Sequence, residues 1–416
     1  MLLIFFSLSI LSIGTYIIWF SRYNIMAHLE LAFIFTRYFV PIFMVDSVAN
    51  FDSNVLNLYT SIIATGAVCY VIGLIMGNML PLIKFKPYTW QVLSEDEYTD
   101  RVIKLTRYFF YFGVAGFIIS YAIMGFIPMF ASEPLNAKFF RGQYQAPYMR
   151  AAILFRIANY VMYSLPPLLL VIWYERRKKI YLLYLLIVVL FIATTLTRGN
   201  ILTGVLIASG VICAYKKHLF KYYIISTTFI FSLGSISFYL IGLITNNDAL
   251  IGMYETGNIF ETIALGAPDV IDHLNFLRDF DNHPIYTYGR TFYGGLIPGH
   301  YEWNPSVWAL SVTNPTDDVN EITSGGLRLP LPLWGYVSFS WPGVVIISLI
   351  SGIVYGYVIK AVKKMISETN NVLVLTVIIL VYVNVYNQAA MFYLLNMYGL
   401  PVVLFTSFYM FRFRWK

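Results

Sequence analysis

Apolar runs of about 20 residues, separated by short polar segments, recur from one end of the chain to the other. A helix rises 1.5 Å per residue, so ~20 apolar residues cross the hydrocarbon core of a bilayer. Inside that core every backbone polar group has to be satisfied within the protein. Repetition of such runs leaves one fold class, an all-α polytopic membrane protein. The runs predict about 11 transmembrane helices, over roughly 1–20, 24–45, 56–80, 104–127, 150–174, 180–197, 200–215, 221–245, 335–359, 371–389 and 393–411. With 59% hydrophobic and only 12% charged residues, a soluble globule is excluded. Residues 1–20 lack a basic n-region and a small-residue cleavage site, so they read as a retained span. No internal repeat is present, and 1–416 reads as a single integral membrane domain.

The basic residues then sort by side. When the spans alternate, Lys84, Lys86, Arg101 and Lys104 fall on one face, with Arg176 to Lys179, Lys216, Lys217 and Lys221, Lys360, Lys363 and Lys364, and the terminal RFRWK. An excess of positive charge marks the cytoplasmic side, which places the N-terminus outside and the C-terminus in the cytoplasm. The net charge of +7 is thereby explained by orientation, and nucleic acid is not an expected partner. The outer segments carry one lysine, Lys138, but five arginines: Arg141, Arg150, Arg278, Arg290 and Arg328. Orientation needs positive charge of any kind, so it accounts for the lysines and not for the outer preference for arginine.

Residues 180–215 show what one such arginine does. Basic clusters flank both ends, and Arg198 is the only charge between them. Both ends are therefore cytoplasmic, and the run goes out and returns as a helical hairpin with Arg198 at its outer tip. Gly199 suits the reversal, and Asn200 is an expected N-cap for the returning helix, whose dipole favours an anion there. Two outer segments are long, 128–149 and 246–334. The second, 89 residues rich in Pro, Gly and aromatics, is expected to hold short helices on the membrane surface. One of them is APDVIDHLNFLRDF, with Pro268 at its start and Val270, Ile271, Leu274 and Leu277 on one face.

A guanidinium fork binds phosphate oxygens in pairs and stays charged, so outer arginines suit a phosphate or diphosphate at the membrane face. The competing explanation for each is snorkelling to the interface. Arg141, Arg150 and Arg156 form a second set; Arg150 and Arg156 lie ~9 Å apart along a helix, which carries Arg156 below the surface and demands a partner or a wet cavity. Arg37 shares a helix face with Glu30, and an internal pair explains both. The stretch TYGRTFYGGLIPGHYEWNP holds Arg290, Tyr293, His300, Glu302 and Trp303. Rings that stack on sugars beside carboxylates and imidazoles describe a carbohydrate cleft, although aromatics in a membrane protein are more often belt residues. Asp279 and Asp281 make an isolated D-x-D, read as coincidence. Cys69 and Cys213 lie inside apolar runs as small hydrophobes. No metal-binding, P-loop or nucleophile-elbow motif occurs, so no metal and no cofactor is expected.

The R-G at an outer hairpin tip (Thr197 to Asn200), G-R-T-F followed by L-I-P in a long outer loop (Gly289 to Pro298), and the G-G…L-W-G-Y-V-S-F-S-W-P-G of the re-entering chain (Gly325 to Gly343) resemble the bacterial oligosaccharide repeat-unit polymerases, the Wzy-type O-antigen polymerases. The resemblance implies a GT-C-like helical fold, with 246–334 as the catalytic loop facing the periplasm. It also implies transfer of a growing glycan from undecaprenyl diphosphate to an incoming undecaprenyl diphosphate-linked repeat unit at the outer face of the inner membrane. Membrane lipids, a chain-length regulator and a flippase are the implied partners. The leaving diphosphate needs positive charge, and loss of one fixed donor in such a site costs ~3 kcal/mol. Arg198 and Arg290 are the expected catalytic donors. His300 and Glu321 are alternative bases, with Asp317 and Asp318 also in the loop. Arg141, Arg150, Arg156, Arg328, Tyr293 and Trp303 are the expected substrate-binding residues. A lipid-linked oligosaccharide flippase, an O-antigen ligase and a structural assembly subunit are the competing readings.

Overall fold

A computed structural model of the protein describes residues 2–19, 25–34, 51–82, 91–197, 199–216, 221, 223–229, 239, 240, 242, 243, 251, 269–294, 301–317, 327, 329–389 and 413–415. Its helices are α1 Leu2–Ile18, α2 Ile25–Ile34, α3 Ser53–Met79, α4 Glu95–Met124, α5 Pro134–Phe139, α6 Gln145–Arg176, α7 Ile180–Thr194 and α8 Gly199–Tyr215. They continue with α9 Asp269–Asn282, α10 Arg290–Tyr293, α11 Pro305–Thr313, α12 Leu331–Ser367 and α13 Val372–Ala389. Among the described residues, α3, α4, α6 and α12 are long and apolar enough to cross a membrane, and shorter apolar helices lie within α1, α7, α8 and α13. Each of these falls on an expected span. The expected spans at 221–245 and 393–411 lie mostly outside the described residues.

The all-helical expectation needs one correction. Strands β1, Gln91–Leu93, and β2, Phe413–Trp415, pair in parallel. Three residues are too few for the two-residue alternation by which a strand is recognised.

Local signals set the helix ends where they are polar. Ser94 and Glu97 form a capping box at the start of α4, with the Glu97 amide on Ser94 Oγ at 3.3 Å and the Ser94 amide on Glu97 Oε2 at 3.0 Å. Glu95, Asp96 and Glu97 also place negative charge at the positive end of the helix dipole. The same helix stops at Gly125, whose φ of 73° is the left-handed C-terminal geometry glycine adopts freely.

Packing is closest between α3 and α12. A Cβ built on Gly352 would stand 2.2 Å from the Tyr70 carbonyl oxygen, and one on Gly77 would stand 2.0 Å from that of Ile353. The two backbones therefore touch, as small residues allow between helices in lipid, where the hydrophobic effect supplies no attraction. Because Gly73 meets Gly352 and Leu74 meets Gly356, the two helices run in the same direction. On the other flank Gly113 meets Met162 and Gly116 meets Ala158, so α4 and α6 are antiparallel.

These directions place the lysines together. Lys363 Nζ donates to the Ile18 carbonyl at the end of α1 at 2.8 Å, and Lys360 Nζ to the Leu80 carbonyl just past α3 at 2.7 Å. Arg176, closing α6, pairs with Asp100 near the start of α4 at 2.9 Å. Asn371, before α13, donates to Thr99 at 2.9 Å. So α1, α3, α6 and α12 finish at one end of the bundle and α4 and α13 begin there, in the alternation that the sequence requires.

The expected span at 335–359 is corrected in its first turns. Phe339 (φ −145°, ψ 25°) and Ser340 (φ 54°, ψ −146°) are not helical. A Cβ on Gly335 would lie 2.5 Å from the Gly343 carbonyl oxygen, whereas residues eight apart in one continuous helix are separated by ~12 Å along its axis. The chain doubles back here. A short arm, 331–338, runs against the long arm, 341–367, and Pro332 reaches Gly66 at the middle of α3 beside Ser348. Pro342 sits in the first turn of the long arm, where its missing N–H costs nothing.

Candidate functional site

The end of the bundle away from the lysines carries the polar loops. Here Thr287 is fully buried, with its amide on the Val337 carbonyl at 3.0 Å and its hydroxyl on Ser338 Oγ at 2.9 Å. These bonds fasten residues 287–290 to the short arm of the α12 hairpin. The fastened turn is strained: Tyr288 has φ 48° and Gly289 φ 77°. Glycine adopts this region freely, whereas a residue with a side chain loses about 1–2 kcal/mol there. The Arg290 amide closes the turn on the Thr287 carbonyl at 3.0 Å, and α10 follows.

Arg290 is exposed, and its guanidinium carbon lies 4.7 Å from the centroid of the Trp303 ring. Gly294 makes this contact possible, since a Cβ there would meet the Trp303 backbone oxygen at 2.4 Å. Tyr293, on the same turn of helix, is 40% exposed. Three residues expected from the sequence, Arg290, Tyr293 and Trp303, are thus brought together. Stacking uses the face of a guanidinium and leaves the in-plane N–H fork for another partner. Among the described residues no side-chain hydrogen bond or ion pair occupies that fork.

The seat beneath is an aromatic core. Val270, Leu274, Phe276, Leu277 and Phe280 of α9 are buried, with Ile271 partly so, and the helix packs on α3 and α11. The apolar periodicity of this segment is therefore borne out, and its face is turned to protein. Tyr59 of α3 and His273 are joined at 2.9 Å. Trp308 of α11 contacts Phe276, Phe280 and Trp334 with ring centroids 5.7, 6.3 and 5.7 Å away.

The second arginine set sits on α6 and the loop before it, which pack on α4, α7 and α8. Arg150 is exposed and Arg141 half-buried. Arg156 meets the demand for a partner through Tyr148, to whose hydroxyl its Nε donates at 2.7 Å; the Tyr148 ring stacks on Phe140 at 3.7 Å and 9°. Asp279 of the D-x-D is paired with Arg278 at 3.0 Å. Among the described residues no three His, Cys, Asp or Glu side chains cluster as metal ligands.

Arg198, His300, Glu321 and Arg328 lie outside the described residues, as do Arg37 and Asp318. The turn before Arg198 is described. Tyr121 of α4 bonds Thr194 at 2.6 Å, Tyr163 of α6 bonds Thr197 at 2.9 Å, and Thr195 bonds Thr197. Helices α7 and α8 flank this turn, in agreement with the expected hairpin. Helix α8 begins at Gly199, which puts Asn200 inside its first turn and corrects the expected cap.

Sequence reasoning missed the Thr287–Ser338 link and the donors to Glu30, a residue it pairs with Arg37. The Thr287–Ser338 link joins residues with no shared periodicity; the S-W-P-G at 340–343 was the available signal of a new helix start. Glu30, 4% exposed, accepts from Trp19 Nε1 at 3.2 Å, from Tyr355 at 2.9 Å and from Tyr382. These donors come from the residue after α1, from α12 and from α13, and nothing local announces them. The chain matches no protein-family model, no curated protein and no solved structure.

Proposed function

We propose that the chain is a membrane glycosyltransferase that polymerises undecaprenyl diphosphate-linked oligosaccharide repeat units at the periplasmic face of the bacterial inner membrane, building O-antigen or a related surface polysaccharide. The observation that carries this reading is Arg290: a guanidinium held by its face on Trp303, its N–H fork without a partner among the described residues, on a strained and buried-bonded turn at the end of the bundle opposite the lysines. Such a group is preorganised to receive a diphosphate, and preorganised charge is where most catalytic stabilisation of a developing anion originates.

In this reading a hydroxyl of the incoming repeat unit attacks the anomeric carbon of the growing glycan. The new glycosidic bond forms, the bond from that carbon to the lipid diphosphate breaks, and the diphosphate leaves with the electron pair. Arg290 and Arg198 stabilise its charge, so the chemistry is assigned to guanidinium groups. His300 or Glu321 takes the hydroxyl proton. Arg141, Arg150, Arg156 and Arg328 hold the diphosphate of the second lipid, and Tyr293 and Trp303 border the sugars. The N-terminus is outside and the C-terminus in the cytoplasm. A chain-length regulator and a flippase are the protein partners.

One observation favours a second reading. A carboxyl group buried in a membrane bundle is costly and commonly marks a proton path, and polymerisation has no use for Glu30. A proton-coupled lipid-linked oligosaccharide flippase would. The glycan ladder of cells carrying Arg290→Ala or Glu30→Gln distinguishes them. Arg290→Ala is expected to reduce chains longer than one repeat by ~100-fold or more, the loss typical of one such donor, while single repeats persist. Normal polymer that fails to reach lipid A would overturn this in favour of a ligase. Disappearance of single outward-facing repeats in Glu30→Gln would overturn it in favour of the flippase.

A further inference from the structure

Three large aromatic side chains stand in the open on the Arg290 turn and the hairpin bend bonded to it: Tyr288 is 67% exposed, Phe339 46% and Trp341 39%. Two strained turns present them. Tyr288 is in the left-handed region with φ 48°, and Ser340, between Phe339 and Trp341, combines φ 54° with ψ −146°, a conformation otherwise left to glycine. The buried Thr287 bonds to Val337 and Ser338 hold the two turns against each other. Strain of this kind persists only where the surroundings over-determine it, and it gathers at functional sites.

The rings are also held from behind. Tyr288 and Phe339 are edge to face at 6.4 Å, and the Phe339 ring lies over Gly289, where a Cβ would stand 3.6 Å from it. Tyr288 continues through Tyr286 at 6.4 Å to Phe280 at 5.7 Å, which belongs to the buried aromatic core. Trp341 rests on Tyr336 at 5.8 Å. A rigid aromatic surface loses little entropy on binding.

We propose that Tyr288, Phe339 and Trp341 are a sugar-binding platform that takes the first pyranose of the lipid-linked glycan whose diphosphate is held by Arg290. The inference rests on the reading given above. Its ligand chemistry follows from the neighbours: a guanidinium fork with no partner among the described residues, two residues from an exposed ring, suits a molecule with an anion joined directly to a body with an apolar face. A pyranose on a diphosphate has that form, with C–H bonds for the rings. A phospholipid has mobile acyl chains next to its phosphate, which gain nothing from rings fixed at this cost in backbone strain.

The test uses the full-length protein in lipid nanodiscs and isothermal titration with citronellyl diphosphate, bare or carrying N-acetylglucosamine, N-acetylgalactosamine or galactose. At least one glycosylated probe is expected to bind more tightly than the bare one, and Tyr288→Ala and Phe339→Leu are each expected to lower that gain ~3- to 10-fold, the worth of one aromatic contact. Binding of the bare probe should stay within about twofold. Tyr288→Phe, which keeps the ring, should keep the gain and so exclude misfolding as the cause. A gain unchanged in both ring variants, or no gain for any sugar, would overturn the platform and leave these rings as a membrane-interface belt. Bare-probe binding that survives Arg290→Ala would instead overturn the diphosphate site, a separate failure.

Discussion

At the lysine-bearing end, Ser94 and Glu97 cap α4 reciprocally, and Lys360 and Lys363 donate to the last carbonyls of neighbouring helices, where a cation also suits the helix dipole. The one left-handed residue described there, Arg177 with φ 52°, is a helix C-cap whose amide bonds the Trp173 carbonyl, so even that strain serves to end α6. At the opposite end Tyr288 and Ser340 sit in left-handed backbone regions, Tyr288, Phe339 and Trp341 stand open, and among the described residues the buried Thr291 hydroxyl and Trp334 indole N–H have no hydrogen-bond partner. The first end spends its polar residues on stability. The second holds costly arrangements in place, which is the pattern of a site that binds something.

The contrast predicts which variants change stability and which change activity. The largest effect is the ~100-fold loss of polymer in Arg290→Ala, and it should leave the melting temperature in detergent unchanged, because an exposed cation–π contact contributes only about 0.5–1 kcal/mol. A drop of many degrees would break the comparison by making Arg290 a structural residue. Gly77→Ala, near the lysine end, should do the reverse: its Cβ would meet the Ile353 carbonyl at 2.0 Å, and overpacking of this kind costs about 1–3 kcal/mol. Its melting temperature should fall while the protein that remains folded keeps its activity.

Smaller effects sharpen the picture. Ser340→Gly relieves the left-handed strain and should raise stability by about 1 kcal/mol, read as a higher melting temperature, while reducing polymer length. An unchanged ladder would mean that the strain serves no purpose in the reaction. The smallest effect belongs to Glu97, whose carboxyl is held below its usual range by the hydrogen bonds of Ser94. A carboxyl depressed on folding stabilises above its unfolded value of about 4.5, and that contribution is lost as pH falls through the folded value. Amide exchange at residues 95–98 should therefore accelerate below this pH in the native chain, and Glu97→Gln should show no such step.

What could be read from residues alone follows from what each signal encodes. Length and apolarity located the helices, and the positions of Lys360, Lys363 and Arg176 gave their alternation, because both signals are local. Val270, Leu274 and Leu277 announced the buried face of α9 by their spacing. Hydropathy carries no direction, however, so the two arms of the 331–367 hairpin read as one continuous run, and only Gly335, Gly343 and Pro342 hinted at the reversal. Of the expected site, Arg290, Tyr293 and Trp303 are near neighbours in sequence and came together. The donors to Glu30 and the partner of Thr287 come from distant segments, and no spacing rule reaches that far.

The backbone contact between α3 and α12 also sets an order of events during synthesis. Gly73 and Gly77 pack on a helix that begins at Leu331, and ribosomes add about 5–20 residues per second. Helix α3 therefore waits roughly 15 to 55 s in the bilayer before its partner is made. For that interval its glycine face is open to any passing helix, so the core of this protein closes late and depends on whatever keeps the nascent chain from pairing elsewhere.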